Sequence, residues 1–320
     1  MKKTVIFFLS LCLCIVPCFS SLAAQKETFS EERINGIPEE ILTDFEKNIV
    51  LAKNSRNSSI SEFEIYKKAK YMSTKELVKQ GYTSEDANKI QNGELEEVIL
   101  QAFFERSNLP SDTLSNMGYT MKDIQKMKNL TGNETLSDIE ALAVSAKVTC
   151  YNTLKSHYYE KSTNKTHFIV SYGWEWNKTP LMQLTDCIGI GWNQDFSIKS
   201  DASSSYNKHY KVYINRNNSS DKKSINTTLK EKQLQTIEDK FSVSTEYNLK
   251  YYDIKSGSGI MYLIQEGKAN NAKFSMKYGH NTIGTSPSIG YPWGVSFSFS
   301  NAESIFMPDE IVTSVTATVK

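Results

Sequence analysis

Two periodicities divide the chain. From residue 36 to about 147, apolar positions recur at intervals of three and four, the spacing of an amphipathic helix. Leu42, Phe45, Ile49 and Ala52 fall on one face behind Pro38, which suits a first helical turn. Leu95, Val98, Ile99, Ala102 and Phe103 make the clearest stripe, and Pro110 ends it by disfavouring helix in the residue before it. Capping-box pairs recur at Ser61 and Glu64, Ser73 and Glu76, and Ser137 and Glu140. A weak repeat lies here too: Leu77 to Thr83, carrying Gly81-Tyr82-Thr83, is echoed by Leu114 to Thr120, carrying Gly118-Tyr119-Thr120. In each copy glycine closes one helix in a left-handed conformation, tyrosine packs back and threonine caps the next. The pattern predicts a run of short helices.

From Val148 the alphabet turns to Tyr, Thr, Ser, Val and Phe with period two, the pattern of half-buried strands. Strands are expected at 166–172, 210–214, 260–264, 273–278, 295–299 and 311–319. Residues 225–241 are ambiguous and lean towards strand. The expected fold is α+β: an N-terminal helical domain, 37–147, followed by an antiparallel β-sandwich-like domain, 148–320.

The start of the chain has a third character. Lys2 and Lys3 precede an apolar run over 5–19, and Ser20, Ser21, Ala23 and Ala24 follow. That order is the signature of a cleaved signal peptide, 1–24, with cleavage near Ala23 or Ala24. A flexible stretch, 25–36, comes next. The run is shorter than the roughly 20 apolar residues of a membrane span, and no later stretch supplies one. The expectation is a secreted or envelope-associated protein with no stable span in the mature chain.

Charge adds little beyond exclusion. Residues 25–147 carry 16 basic and 21 acidic side chains, and residues 148–320 carry 19 and 15. Neither part has the basic cluster of a nucleic-acid surface. Past the leader only Cys150 and Cys187 remain, and an even pair in an exported chain reads as a disulfide. A loop of that length would stabilise the fold by roughly 4 kcal/mol. Two cysteines without paired neighbours do not complete a metal site, and no cofactor is expected.

The most distinctive stretch runs Tyr172-Gly-Trp174-Glu-Trp176-Asn-Lys-Thr-Pro180, then Leu184-Thr185-Asp186, then Trp192, with Tyr278-Gly279-His280 and Ser286-Pro287-Ser288 further on. It resembles uncharacterised secreted proteins of Gram-positive bacteria with a Tyr-x-Trp-x-Trp-x-x-x-Pro segment followed by Leu-Thr-Asp. The resemblance covers most of residues 148–300. It implies export and a β-rich fold, with no activity attached.

On a strand Trp174 and Trp176 share a face. Exposed, they would form a platform for sugar rings or peptide side chains; buried, the reading favoured for tryptophan, they would be core residues beneath a turn at Pro180. Trp293, between Pro292 and Gly294, and His280, beside Gly279, complete the ligand-binding candidates. Catalytic motifs are thin: the histidines are scattered, and there is neither a His-Glu-x-x-His pair nor a Gly-x-Ser-x-Gly elbow. The leading reading is therefore an exported binding module for a cell-wall glycan, a peptide or a protein partner. A second is a secreted hydrolase using His280, or Glu175, Asp186 and Asp195 as acid and base. A third is a membrane-acting β protein, with 296–300 and 313–319 as amphipathic strands.

Overall fold

A computed structural model describes residues 58–281, apart from 80, 81, 143, 194, 204, 232–234 and 270, together with four short strands further on. The leader, residues 25–57 with the helix expected behind Pro38, and Trp293 lie outside the described residues.

The described chain begins with a strand. β1 (Ser58–Ser61) runs antiparallel to the start of β2 (Lys147–Glu160), with Ser61 opposite Lys147. The helices lie between these neighbouring strands, so the sheet starts before the composition turns strand-like. They are α1 (Glu62–Tyr71), α2 (Thr74–Lys79), α3 (Ser84–Gln91), α4 (Glu94–Ser107), α5 (Ser111–Asn116), α6 (Met121–Lys128) and α7 (Leu136–Ala141). The boxes at Ser61 and Ser73 form as the spacing predicts. The one expected at Ser137 does not. Thr135 caps α7 instead, with Asp138 returning the bond, because the helix starts two residues earlier. At the repeated corners Tyr82 and Tyr119 are buried, Thr83 and Thr120 cap the following helices, and Gly118 sits at φ +92°. On α4, Leu95, Ile99 and Phe103 face the helical core, while Val98 stays partly exposed.

The later strands are β3 (Lys165–Trp176), β4 (Thr185–Trp192), β5 (Ser197–Ile198), β6 (Lys208–Asn215), β7 (Asn218–Thr228), β8 (Thr236–Ser242), β9 (Ser244–Tyr247), β10 (Lys250–Glu266), β11 (Asn271–Ala272) and β12 (Phe274–His280). Beyond them come β13 (Ser288–Gly290), β14 (Ser298–Ser300), β15 (Glu303–Phe306) and β16 (Thr313–Ser314). The large antiparallel sheet has the order β1-β2-β3-β10-β6-β7, with β5 and β9 also on β10, and the smaller one β15-β12-β4-β8. The fold is a β-rich α+β arrangement. Four expected strands fall in β3, β6, β10 and β12, and the ambiguous stretch forms the end of β7 and all but the last residue of β8.

The two sheets share one core. Tyr172, Trp174 and Trp176 of β3 meet Phe241 of β8 and Phe274 and Tyr278 of β12, and Trp174 stacks on Phe241 at 5.1 Å. Each such buried ring contributes roughly 2–3 kcal/mol. The segment after Trp176 then leaves the sheet and plugs the helical layer. Arg106 of α4 donates to the carbonyls of Thr179 and Pro180 at 3.0 Å each, and Leu181 joins the helical core. Lys178 pairs with Asp123 of α6 at 3.2 Å.

Candidate functional site

Of the two readings of Trp174 and Trp176, the structure shows the buried one, and they form no exposed platform. Trp174 and Trp176 do share a face of β3, as alternation requires, but that face is the inter-sheet core and both rings are fully buried. No disulfide forms either: Cys150 and Cys187 are free, buried thiols. Their strands explain this. Cys150 of β2 belongs to the inter-sheet core, whereas on β4 it is Ile188, Ile190 and Trp192 that point into that core. Cys187, one residue out of phase with them, points to the other side of its sheet. Burial pushes both thiols above their ordinary pKa and keeps them protonated.

His280 is buried too, between two carboxylates. Its Nδ1 lies 2.9 Å from Asp186 and its Nε2 lies 3.2 Å from Glu62, at the start of α1. Burial alone would lower its pKa, but Asp186 and Glu62 outweigh it and push it up to about 10. The ring is therefore an imidazolium donating from both nitrogens. Tyr278 donates to Asp186 and accepts from the Trp176 indole at 3.0 Å, while the backbone N–H groups of Leu181 and Met182 donate to Glu62. Two of the acid–base candidates thus meet, but in a buried ionic joint among the described residues. Glu175 pairs with Lys255 at 3.3 Å, and Asp195 is exposed on a turn.

A second joint lies in the core. His209 Nδ1 donates to Asp239 at 2.6 Å, Lys211 reaches the same oxygen at 3.0 Å, and His209 Nε2 accepts from the Trp174 indole at 3.3 Å. Burial holds His209 below its usual pKa despite Asp239, so it is neutral. For Asp239 burial acts upward, but His209 and Lys211 prevail and bring it to about 2. The second ring nitrogen of His209 thus faces an indole N–H, which is not a nucleophile. Among the described residues no three His, Cys, Asp or Glu side chains are set to hold a metal ion.

An aromatic cluster that the sequence reading missed occupies the outer face of the large sheet. Tyr158 of β2 stands opposite His167 of β3, and their rings stack at 4.6 Å and 11°. Tyr262 of β10 places its hydroxyl 2.8 Å from His167 Nδ1 and 3.3 Å from the Tyr158 hydroxyl. Tyr206, from the loop between β5 and β6, meets Tyr262 edge to face at 5.3 Å. Ile169, Ile260 and Tyr210 form the apolar floor. The rim is charged: Glu160 lies 3.2 Å from His167 Nε2, Lys199 stands over the Tyr262 ring and pairs with Asp201, and Lys165 pairs with Glu266.

A bulge builds this face. Leu154 pairs with Val170 on the core side, but the register then shifts so that Ser156 pairs with Ile169. Strict alternation from Val148 would send Tyr158 inward. The extra residue turns it outward and puts His157 against Phe168 in the core. Tyrosine and histidine side chains offer a ligand apolar faces and hydrogen-bonding tips together.

No protein-family model matches the chain, and no curated protein matches it in sequence. Solved structures give weak likenesses. A structure titled "Pore forming protein" is 6% identical over 53% of this chain and 84% of its own, with TM-score 0.24. Clostridium perfringens delta-toxin is 8% identical over 52% and 82%, with TM-score 0.22. The collagen binding domain of Erysipelothrix rhusiopathiae surface protein RspB is 8% identical over 53% and 64%, also at 0.22. Scores this low carry no argument about fold or function.

Proposed function

We propose that this chain is an exported binding module of β-sandwich type that recognises an extracellular glycan through the outer face of its large sheet. The observation that carries the reading is the cluster of partly exposed Tyr158, Tyr206 and Tyr262 around a buried His167, with a charged rim. Such rings pack against the C–H faces of a sugar while their hydroxyls and the rim serve its hydroxyl groups. The export half rests on the leader-like order of residues 1–24 and on the resemblance to secreted Gram-positive proteins. Among the described residues the hydrolase candidates His280 and Asp186 are bonded to each other inside the protein, with Glu62 on the far ring nitrogen of His280.

Retention on insoluble peptidoglycan tests the proposal. The intact chain is expected to be retained, and Tyr158→Ala and Tyr206→Ala to weaken retention at least tenfold with unchanged far-UV circular dichroism. Equal retention of all three, or none by the intact chain, sinks it.

A further inference from the structure

We infer that the hydrogen-bond chain Tyr158–Tyr262–His167–Glu160 has a fixed direction whose first two links reverse when His167 is protonated, making ligand binding at this face pH-dependent. The inference rests on the binding reading above.

The direction follows from what each atom can do. A carboxylate only accepts, so Glu160 requires the proton of a neutral His167 to sit on Nε2, 3.2 Å away. Thr163 donates to the same Glu160 oxygen at 2.7 Å, and that bond is the largest influence holding the carboxyl below its usual pKa and ionised. Nδ1 of His167 is then bare and must accept, and the hydroxyl at 2.8 Å is that of Tyr262. With its proton given to His167, Tyr262 can only accept from Tyr158, 3.3 Å away. The neutral chain therefore runs Tyr158 to Tyr262 to His167 to Glu160.

Protonation inverts the first two links. An imidazolium donates from both nitrogens, so Tyr262 becomes the acceptor at Nδ1 and turns its own proton towards the Tyr158 oxygen. The proton of Tyr158 leaves that bond. A hydroxyl at the ligand face is thereby re-aimed without movement of a heavy atom, and the face gains a positive charge.

The charged and titratable groups around the ring come from every neighbouring element: Glu160 and Tyr158 on β2, Lys165 on β3, Tyr262 on β10, and Lys199 from the loop after β5. Burial lowers the His167 pKa; Glu160 opposes this, and Lys199 and Lys165 reinforce it. The neutral chain is thus the form present at pH 7, and mild acid the condition that reverses it.

Nitrogen-detected NMR of the histidine rings in the intact chain, followed from pH 8 to pH 5, reads the direction without any ligand. His167 is expected as the pure Nε2–H tautomer at pH 8, becoming an imidazolium below the ordinary histidine range. Glu160→Gln, whose amide both donates and accepts, is expected to show mixed tautomers at pH 8. An Nδ1–H tautomer in the unaltered chain overturns the inference. Peptidoglycan retention across the same range is expected to change at least threefold with the His167 titration, and to lose that dependence in His167→Gln whatever its level. Retention that is flat with pH refutes the pH control alone, whereas no retention at any pH refutes the binding reading and the pH control with it.

Discussion

Leu249 sits at the tip of the β9–β10 hairpin with φ at +61° and 91% of its surface exposed, behind Asn248 at +49°. Two consecutive positive φ values make the tight hairpin turn whose second place glycine favours. A side chain with a β-carbon is strained there by roughly 1–2 kcal/mol, and glycine returns part of that gain through its freer unfolded chain. Leu249→Gly is therefore expected to stabilise the protein by about 0.5–1 kcal/mol, seen as a higher urea midpoint at unchanged slope. A lower midpoint would refute the turn assignment. Local signals of this kind were readable from the sequence where they depend on near neighbours. The caps at Ser61, Ser73, Thr83 and Thr120 formed as their spacing required, because a hydroxyl and an N–H three residues on meet within one turn.

Strand β10 shows how elements adapt to large core residues. A β-carbon on Gly257 would strike His209 Nε2 and lie 2.7 Å from the Trp174 ring, so the glycine lets that indole lie across the strand. Gly257→Ala is expected to destabilise by about 1–3 kcal/mol in chemical denaturation. An alanine variant as stable as the parent would show that the indole has room to move. At this scale the sequence was legible in part. Alternation correctly placed Trp174 and Trp176 on one side of a strand, but only the second sheet decides that this side is dry. The aromatic face was hidden for a sharper reason: one extra residue near Lys155 reverses the parity of everything after it, and no local signal marks the reversal. The cysteines failed likewise, since their phases relative to two different sheets cannot be read from spacing.

Across the whole molecule, the His280 joint links α1, β4 and β12 and gives stability a defined pH dependence. The ordinary histidine pKa is about 6.5, and the folded value is raised to about 10. Between these values the folded state holds the extra proton, so the stabilisation is complete below about pH 6.5 and is lost as pH rises towards 10. Urea midpoints from pH 6 to 9 are expected to fall in the parent chain and to fall less steeply in His280→Gln, which is less stable at pH 6. Identical slopes would exclude His280 as the source. The pairing of Ser61 with Lys147 carries a different consequence. The sheet asks only that the polypeptide depart and return at adjacent points. Whatever is threaded through that doorway can lengthen, shorten or be exchanged without disturbing strand order, provided something still meets His280 and the carbonyls now held by Arg106. The helices are thus cargo carried at a port in the sheet, and that port is where a chain of this design would most readily take on new parts.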